Sequence, residues 1–356
     1  MNITILLNSL EGGGAERVVL DLCYAFKNEG DNIKLILLYK NNYYKEPDGI
    51  DLIYLMKNKP KSKFMKLFSI IFLTWKLKKV CSNIDKTSDI DLFFSHLPFS
   101  NYIAWLAGIK NHFAVIHSIY SKKYNSFLKR KLISLIHKNK KLITVSNGAK
   151  IDLIKNFNLK DKNIKTIYNP VNIEKIKILS KESVDYNKPY IVHVGRFSKV
   201  KRHDILLKAY NKTKLKENYD LLLLGDGEEK ENIKSLIKEL NLTNKVKILG
   251  WQENPYKWIK NASLLVLSSD YEGLPTVLIE SLICNTPIVS TDCESGPREI
   301  MVEELSKYLV KLGDCEDLAK KMDLAIEDYP SIKESYYEKF NPKKIITRYK
   351  ELKHEL

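Results

Sequence analysis

Cysteine is sparse in this chain and follows no pattern: the five residues, at positions 23, 81, 284, 293 and 315, form no CxxC pair. Such spacing excludes the common zinc and disulfide frameworks, and the odd number suits reduced intracellular thiols. No group of Asp, Glu or His has metal-ligand spacing either, so the expected site works without a metal or other cofactor. The most apolar stretch, inside 57–79, is too short and too interrupted to span a bilayer. Low-complexity blocks and repeats at a solenoid period are lacking, which excludes an extended array. The opening Asn2-Ile3-Thr4-Ile5-Leu6-Leu7 reads as a strand without the basic region and cleavage site of a signal peptide, and the expectation is a cytoplasmic protein.

What is present fits a globular protein of two cores, with 356 residues, 44% apolar and 29% charged, a length that suits two domains of roughly 150 residues each. The net charge of +16 admits nucleic acid, an anionic membrane surface or acidic substrates as partners. Its lysines are spread along the whole chain, which weakens the total as a specific sign. Strand-like apolar runs at 2–8, 33–39, 51–55, 91–95, 112–116, 140–145 and 164–168 alternate with helical patterns, and the alternation restarts at Pro189 with runs at 190–194, 220–225, 246–249, 264–267, 287–289 and 308–310. Two Rossmann-like, doubly wound parallel sheets are therefore expected, with ligands at the carboxyl ends of their strands. The domains are placed at 1–170 and 171–341, with a last helix over 342–356 crossing back to the first.

The stretch Ser268 to Glu280 carries the most chemistry. A short apolar strand, Leu264-Leu265-Val266-Leu267, leads into a loop holding Glu272, Gly273 and Leu274, and Pro275 suits the first turn of a helix. Backbone N–H groups of Gly273, Leu274, Thr276 and Val277 then lie at the positive end of a helix dipole, a setting for phosphate, while Glu272 and Glu280 suit sugar hydroxyls. Just past another strand end, Gly195, Arg196 and Lys201 can neutralise a diphosphate leaving group. The turn Gly225-Asp226-Gly227-Glu228 either lies beside the ligand or only connects elements. A turn through Gly250, Trp251 and Asn254 can meet a base edge, and Ser295-Gly296-Pro297-Arg298-Glu299 repeats the loop-to-helix design.

In the first domain the loop Gly12-Gly13-Gly14-Ala15-Glu16-Arg17 precedes a helix and brings backbone close to a phosphate or acceptor hydroxyl. A dinucleotide fingerprint would need glycine where Arg17 stands, and the second strand lacks the ribose-binding acid, so nicotinamide and flavin cofactors are rejected. His117 sits at the carboxyl end of a strand, where a site belongs, and His96 ends the neighbouring one. Asp89-Ile90-Asp91 matches the D-x-D pattern of metal-dependent sugar transfer but opens a strand instead of ending one, which favours a structural pair. Two basic stretches rich in apolar residues, 57–79 and 127–141, are read as helices that either lie on an anionic membrane surface or simply pack with a solvated lysine face.

The glycine loop at 13–17, the Gly-Arg-x4-Lys run at 195–201 and the E-x7-E pair of Glu272 and Glu280 together resemble the retaining glycosyltransferases of family 4, over the whole chain. The resemblance implies the GT-B architecture, two Rossmann-like domains facing across a cleft. It implies an N-terminal domain for the acceptor, touched by Gly13, Gly14, Glu16 and Arg17, and a C-terminal domain for a UDP-sugar. Arg196 and Lys201 would hold the diphosphate, Glu280 the ribose, the 250–254 loop the base, Glu272 with the Gly273–Val277 backbone the sugar and phosphate, and His117 the sugar near the reacting centre. Similarity at Gly12–Arg17, Asn254-Pro255-Tyr256, Glu272–Ser281 and Ser295-Gly296 with Arg298-Glu299 to N-acetylgalactosaminyltransferases of bacterial lipid-linked oligosaccharide assembly implies UDP-GalNAc as donor and a polyprenyl-diphosphate-linked glycan as acceptor, at the inner face of the cytoplasmic membrane. Enzymes building capsule, O-antigen or lipooligosaccharide share these signatures. Two readings from other classes remain: a sugar-nucleotide epimerase of the same shape, which the E-x7-E pair opposes, and a nucleic-acid-binding protein, which lacks a recognition helix or exposed aromatic loops.

Overall fold

The computed structural model describes residues 1–41 and 44–355, and of Lys63 the backbone only. The chain divides into two compact units, Met1–Pro170 with Phe340–Leu356, and Val171–Lys339. In the first, seven strands form one parallel sheet: β1 (Asn2–Leu7), β2 (Asn32–Tyr39), β3 (Asp51–Met56), β4 (Leu92–His96), β5 (His112–Ile116), β6 (Lys141–Thr144) and β7 (Ile164–Thr166). Their order is β3-β2-β1-β4-β5-β6-β7, so the winding reverses between β1 and β4. The second unit carries six parallel strands, β8 (Tyr190–Val194), β9 (Asp220–Leu224), β10 (Val246–Gly250), β11 (Leu264–Leu267), β12 (Ile288–Thr291) and β13 (Leu309–Val310). Here the order is β10-β9-β8-β11-β12-β13, and the reversal falls between β8 and β11.

Continuous apolar runs make these strands, because a parallel sheet covered by helices on both faces buries every side chain. All five residues of β4 and all five of β9 are buried. In the first unit, Leu73, Leu77, Cys81 and Ile84 of the helix Lys63–Thr87 pack with Phe93, Ile103 and Ala104 on one face of the sheet. On the other face Phe94 meets Phe26 and Tyr349. Tyr349 belongs to the helix Pro342–Glu351, which returns to the first unit and sets its ring edge-on to Phe94 at 5.0 Å and to Phe26 at 5.9 Å. Two ion pairs clamp it: Lys350 lies 2.7 Å from Asp31, which also takes the amino group of Met1 at 2.8 Å, and Lys353 lies 2.6 Å from Asp91. Asp91 further accepts from the backbone N–H of Asn2 at 2.8 Å, so this half of the D-x-D pattern ties strand ends together. Leu356 lies outside the described residues.

Two helices differ from their expected spans. The first basic helix starts at Lys63, where Ser62 caps it by accepting from the N–H of Met65, and runs on to Thr87. The lysine-rich lead at 57–62 stays outside because Pro60 disfavours helical backbone before it. The second ends at His137, since Asn139 turns left-handed with φ 58° and β6 begins at Lys141.

Six of the seven histidines sit at or near element ends, four in the first unit and two in the second; His96, His137, His193 and His203 are buried, and His112 and His117 half-buried. Burial lowers all six: His112 to about 3, His117, His137 and His193 to about 4, and His96 and His203 far below the ordinary value. The unfolded chain therefore takes up protons below pH ~6.5 that the folded chain refuses, and stability falls as pH drops through that window. Urea unfolding should show a midpoint declining between pH 6.5 and pH 5, above the carboxylate range, with a slope of up to about 1.4 kcal/mol per pH unit for each histidine. A midpoint unchanged across that window would contradict the burial of these rings.

Candidate functional site

In the second unit the loops leaving β8 and β11 start from adjacent strands at the point where the winding reverses, the place where such sheets hold ligands. The loop after β11 enters the helix Thr276–Ile283. Pro275 stands one position before this helix, with φ −75° and ψ 88°, and no side chain caps the end. The N–H groups of Thr276 and Val277 thus have no intrahelical acceptor and lie at the positive end of the dipole. A second loop braces this one: Ser295 Oγ donates to the Gly273 carbonyl at 2.8 Å. Gly296 has φ 90°, and a Cβ there would stand 2.3 Å from Pro275 Cδ, so only glycine lets the two loops touch.

Lys201 and Glu272 join the loops leaving β8 and β11. Their charged atoms are 2.6 Å apart, with side chains 19% and 15% exposed. Ser269 Oγ donates to the same carboxylate oxygen at 2.6 Å. The backbone follows suit: Asp270 N–H donates to the Val200 carbonyl at 2.8 Å, and Ser268 Oγ donates to the Lys201 carbonyl at 2.7 Å. Gly195, at the end of β8, is backed by the β9 turn, where a Cβ on Gly225 would lie 2.0 Å from the Gly195 carbonyl oxygen and one on Gly227 2.4 Å from that of Phe197. The Gly225–Glu228 turn is therefore packed directly behind the cationic loop. Its Glu228 also holds Arg196, 3.1 Å away, with the guanidinium 75% exposed.

Glu280 is buried on the helix that follows Pro275. Gly250, the last residue of β10, leads into the next loop with a φ of 72° that suits glycine. Its carbonyl accepts from the N–H of Gly225, which ties this turn to its neighbour at 2.8 Å. Trp251 is exposed, while Asn254 closes the loop, its amide donating to Leu179 and its oxygen accepting from the N–H of Tyr256. Arg298 lies on Asp292 through two contacts of 2.5 Å.

The first unit presents its own strand ends. The helix Gly14–Asn28 starts inside the glycine loop, with Gly13 at its N-cap and Glu16 in its first turn. Glu16 folds back so closely that a Cβ on Gly13 would stand 2.3 Å from its carboxylate. Arg17 follows, its N–H donating to the Gly13 carbonyl at 3.2 Å. Asn8, at the head of this loop, accepts from Ser100 Oγ at 2.7 Å, which links the end of β1 to the helix after β4. Half-buried His117, just past β5, stands 2.8 Å from His96 at the end of β4. Gly195, Arg196, Lys201, Glu272, the Gly273–Val277 backbone and Glu280 thus belong to one unit, and Gly13, Gly14, Glu16, Arg17 and His117 to the other. The His96–His117 contact and the bracing roles of Ser269, Ser295 and Gly225–Gly227 carry no local sequence signal, because each joins loops brought together by strand order.

Comparisons with known proteins agree with this architecture. Residues 174–343 match the family described as Glycosyl transferases group 1, and residues 12–175 match Glycosyltransferase Family 4. The chain is 34% identical, over 91% of its length and 90% of the relative's, to the N-acetylgalactosamine-N,N'-diacetylbacillosaminyl-diphospho-undecaprenol 4-alpha-N-acetylgalactosaminyltransferase of Campylobacter jejuni. A second C. jejuni relative, GalNAc-alpha-(1->4)-GalNAc-alpha-(1->3)-diNAcBac-PP-undecaprenol alpha-1,4-N-acetyl-D-galactosaminyltransferase, is 27% identical over 92% of this chain and 89% of its own. Among solved structures, Anabaena HepE in complex with UDP and glucose matches with a TM-score of 0.82 at 20% identity over the whole of both chains, a likeness of fold. With a relative this similar along nearly its full length and both halves matched, the chain belongs to the family 4 glycosyltransferases, of GT-B fold, and is a glycosyltransferase.

Proposed function

We propose that this protein transfers N-acetylgalactosamine from UDP-GalNAc, with retention of anomeric configuration, to a glycan carried on a polyprenyl diphosphate at the cytoplasmic face of the membrane. One observation carries the reading: the uncapped helix start at Thr276 is bracketed by the Lys201–Glu272 pair and by buried Glu280 in a single unit. Phosphate suits the helix end and Lys201, and hydroxyls suit the two carboxylates. The choice of sugar and acceptor follows the 34% identical relative named above. A family 4 transferase of another hexose or N-acetylhexosamine, for capsule, O-antigen or lipooligosaccharide, is the alternative.

In this mechanism the sugar–phosphate bond breaks as the acceptor hydroxyl attacks the same face. Lys201, Arg196 and the helix dipole stabilise the negative charge growing on the departing diphosphate. A diphosphate oxygen takes the acceptor's proton. Arg196 exchanges Glu228 for phosphate, and Lys201 shares its charge between phosphate and Glu272, which holds a sugar hydroxyl. The 250–254 loop meets the base and Glu280 the ribose. His117, Gly13, Gly14, Glu16 and Arg17 serve the sugar and acceptor from the first unit. These side-chain cations take the place of a divalent ion, and the transfer proceeds without one.

A thermal-shift panel of nucleotide sugars should show stabilisation by UDP-sugars, greatest with UDP-GalNAc. Turnover with that donor and a lipid-linked acceptor should persist in EDTA, give an α-linked product by NMR, and fall roughly a hundredfold in Arg196→Ala and in Lys201→Ala. Product formed from UDP-GlcNAc without acceptor would instead identify an epimerase, and near-normal turnover in Arg196→Ala would sink the assignment.

Membrane contact has its own support in the first unit. Besides its packed face, the Lys63–Thr87 helix turns Phe64, Leu67, Phe68, Ile71 and Trp75 to solvent, each more than half exposed. Phe127, Leu128, Leu132 and Leu135 do the same on the helix Phe127–His137. The crossovers from β3 to β4 and from β5 to β6 step the same way along the sheet, so right-handed connections put both helices on one side of it. Lysines flank both apolar faces, and no helix among the described residues is long and apolar enough to cross a membrane. Such faces insert shallowly at an anionic surface. The protein should cosediment with vesicles containing phosphatidylglycerol and much less with phosphatidylcholine alone. A Phe68→Ser/Ile71→Ser variant should lose most of that binding while keeping its circular dichroism, and unchanged binding would count against this contact.

A further inference from the structure

His96 is fully buried at the end of β4, with its Nδ1 2.8 Å from Nε2 of His117 and the ring centroids 5.1 Å apart. Its other nitrogen, Nε2, is buried and meets no partner among the described residues. Burial keeps both rings neutral near pH 7, so each carries one N–H and the short contact can form in two ways. If His117 donated, His96 would hold its own N–H on Nε2, sealed away from any acceptor. If His96 donates from Nδ1, its Nε2 is a bare lone pair, and an under-satisfied acceptor is tolerated better than an orphaned donor. The slight preference of a free ring for the other tautomer is the smaller effect.

The protein already contains this arrangement once. His193, in β8 of the second unit, faces the Val266 carbonyl through Nδ1 at 2.9 Å. A carbonyl can only accept, so that ring must carry its proton on Nδ1, and its Nε2 is likewise buried and unpartnered. Beside His96, Leu97 adopts φ 72° and ψ 149°, a region nearly reserved for glycine. Pro98, which follows, disfavours relaxation of Leu97 into helical backbone. Backbone strain held in place next to the buried ring is the kind that collects at working sites.

We propose that His96 is a positioning residue: its Nδ1–H fixes His117 in the tautomer that accepts through Nε2 and shows an Nδ1–H donor at the strand ends. His117 then offers a hydrogen bond to an oxygen acceptor, such as a sugar hydroxyl or phosphate, and does not act as a base. This assignment rests on the reading that His117 touches the sugar.

Long-range 1H–15N spectra of the ligand-free protein, labelled at histidine, read the tautomers without reference to activity. The expected result is a protonated Nδ1 and bare Nε2 on both His96 and His117, and a protonated Nε2 on His117 would overturn the proposal. In kinetics, His96→Asn keeps a donor at the Nδ1 position and should stay near the parent kcat/KM, while His96→Leu should lose about tenfold. Adding His96→Leu to His117→Ala should cost nothing more than His117→Ala alone. Equal losses in the Asn and Leu variants would refute a role through the donor. A silent His117→Ala would refute the placement of His117 at the sugar, while the spectra would still decide the tautomer.

Discussion

The ion pair between Lys201 and Glu272 links the loops that leave β8 and β11 in the second unit. Without it, the loop leaving β8 would carry an ammonium and the loop leaving β11 a carboxylate, each drawn toward solvent. With the two groups 2.6 Å apart and largely shielded, the loops form one surface. A pair so sheltered differs from the surface bridges elsewhere in the chain, whose exposed partners contribute little. Loss of either member would strand the other in a poorly hydrated place. Ser269, the Asp270–Val200 backbone bond and the glycines of the β9 turn are fitted around this contact, and so is the helix start that follows Pro275.

Pairing Lys201 with Glu272 also offsets a positive charge between these loops in a chain that carries +16. Arg196 is handled in a different way. Its partner Glu228 is itself exposed, so that contact is easily exchanged. One cation is thus built into the fold and the other lies exposed at its rim, a division that suits the proposed binding and release of a diphosphate.

Much of this was legible in the residues. Unbroken runs such as Leu221-Leu222-Leu223-Leu224 and Leu264-Leu265-Val266-Leu267 are what buried parallel strands require, and the expected strand spans agree with those found to within about two residues. The strand, loop and helix around Glu272 and Glu280 were legible for the same reason, since Gly273 and Pro275 punctuate a short segment. Contacts between distant segments were not. Lys201 meets Glu272 across 71 positions, Ser295 meets Gly273 across 22, and His96 meets His117 across 21. Each depends on which strands lie side by side, and local pattern does not encode that. The basic helices show a related limit, because an apolar face turned to solvent and one turned to the core read alike until the packing partner is known.

The return of the Pro342–Glu351 helix to the first unit has a consequence for how the molecule is made. Phe26 and Phe94 lie in a layer of the first unit that Tyr349 completes, and Asp31 and Asp91 find their lysines only at positions 350 and 353. On the ribosome, all of Val171–Lys339 is therefore synthesised before the first unit can close. The unit that begins first finishes last. Until then the layer around Phe26 and Phe94 lacks Tyr349, so apolar surface of the first-made residues stays open to misassembly while the second unit is being synthesised.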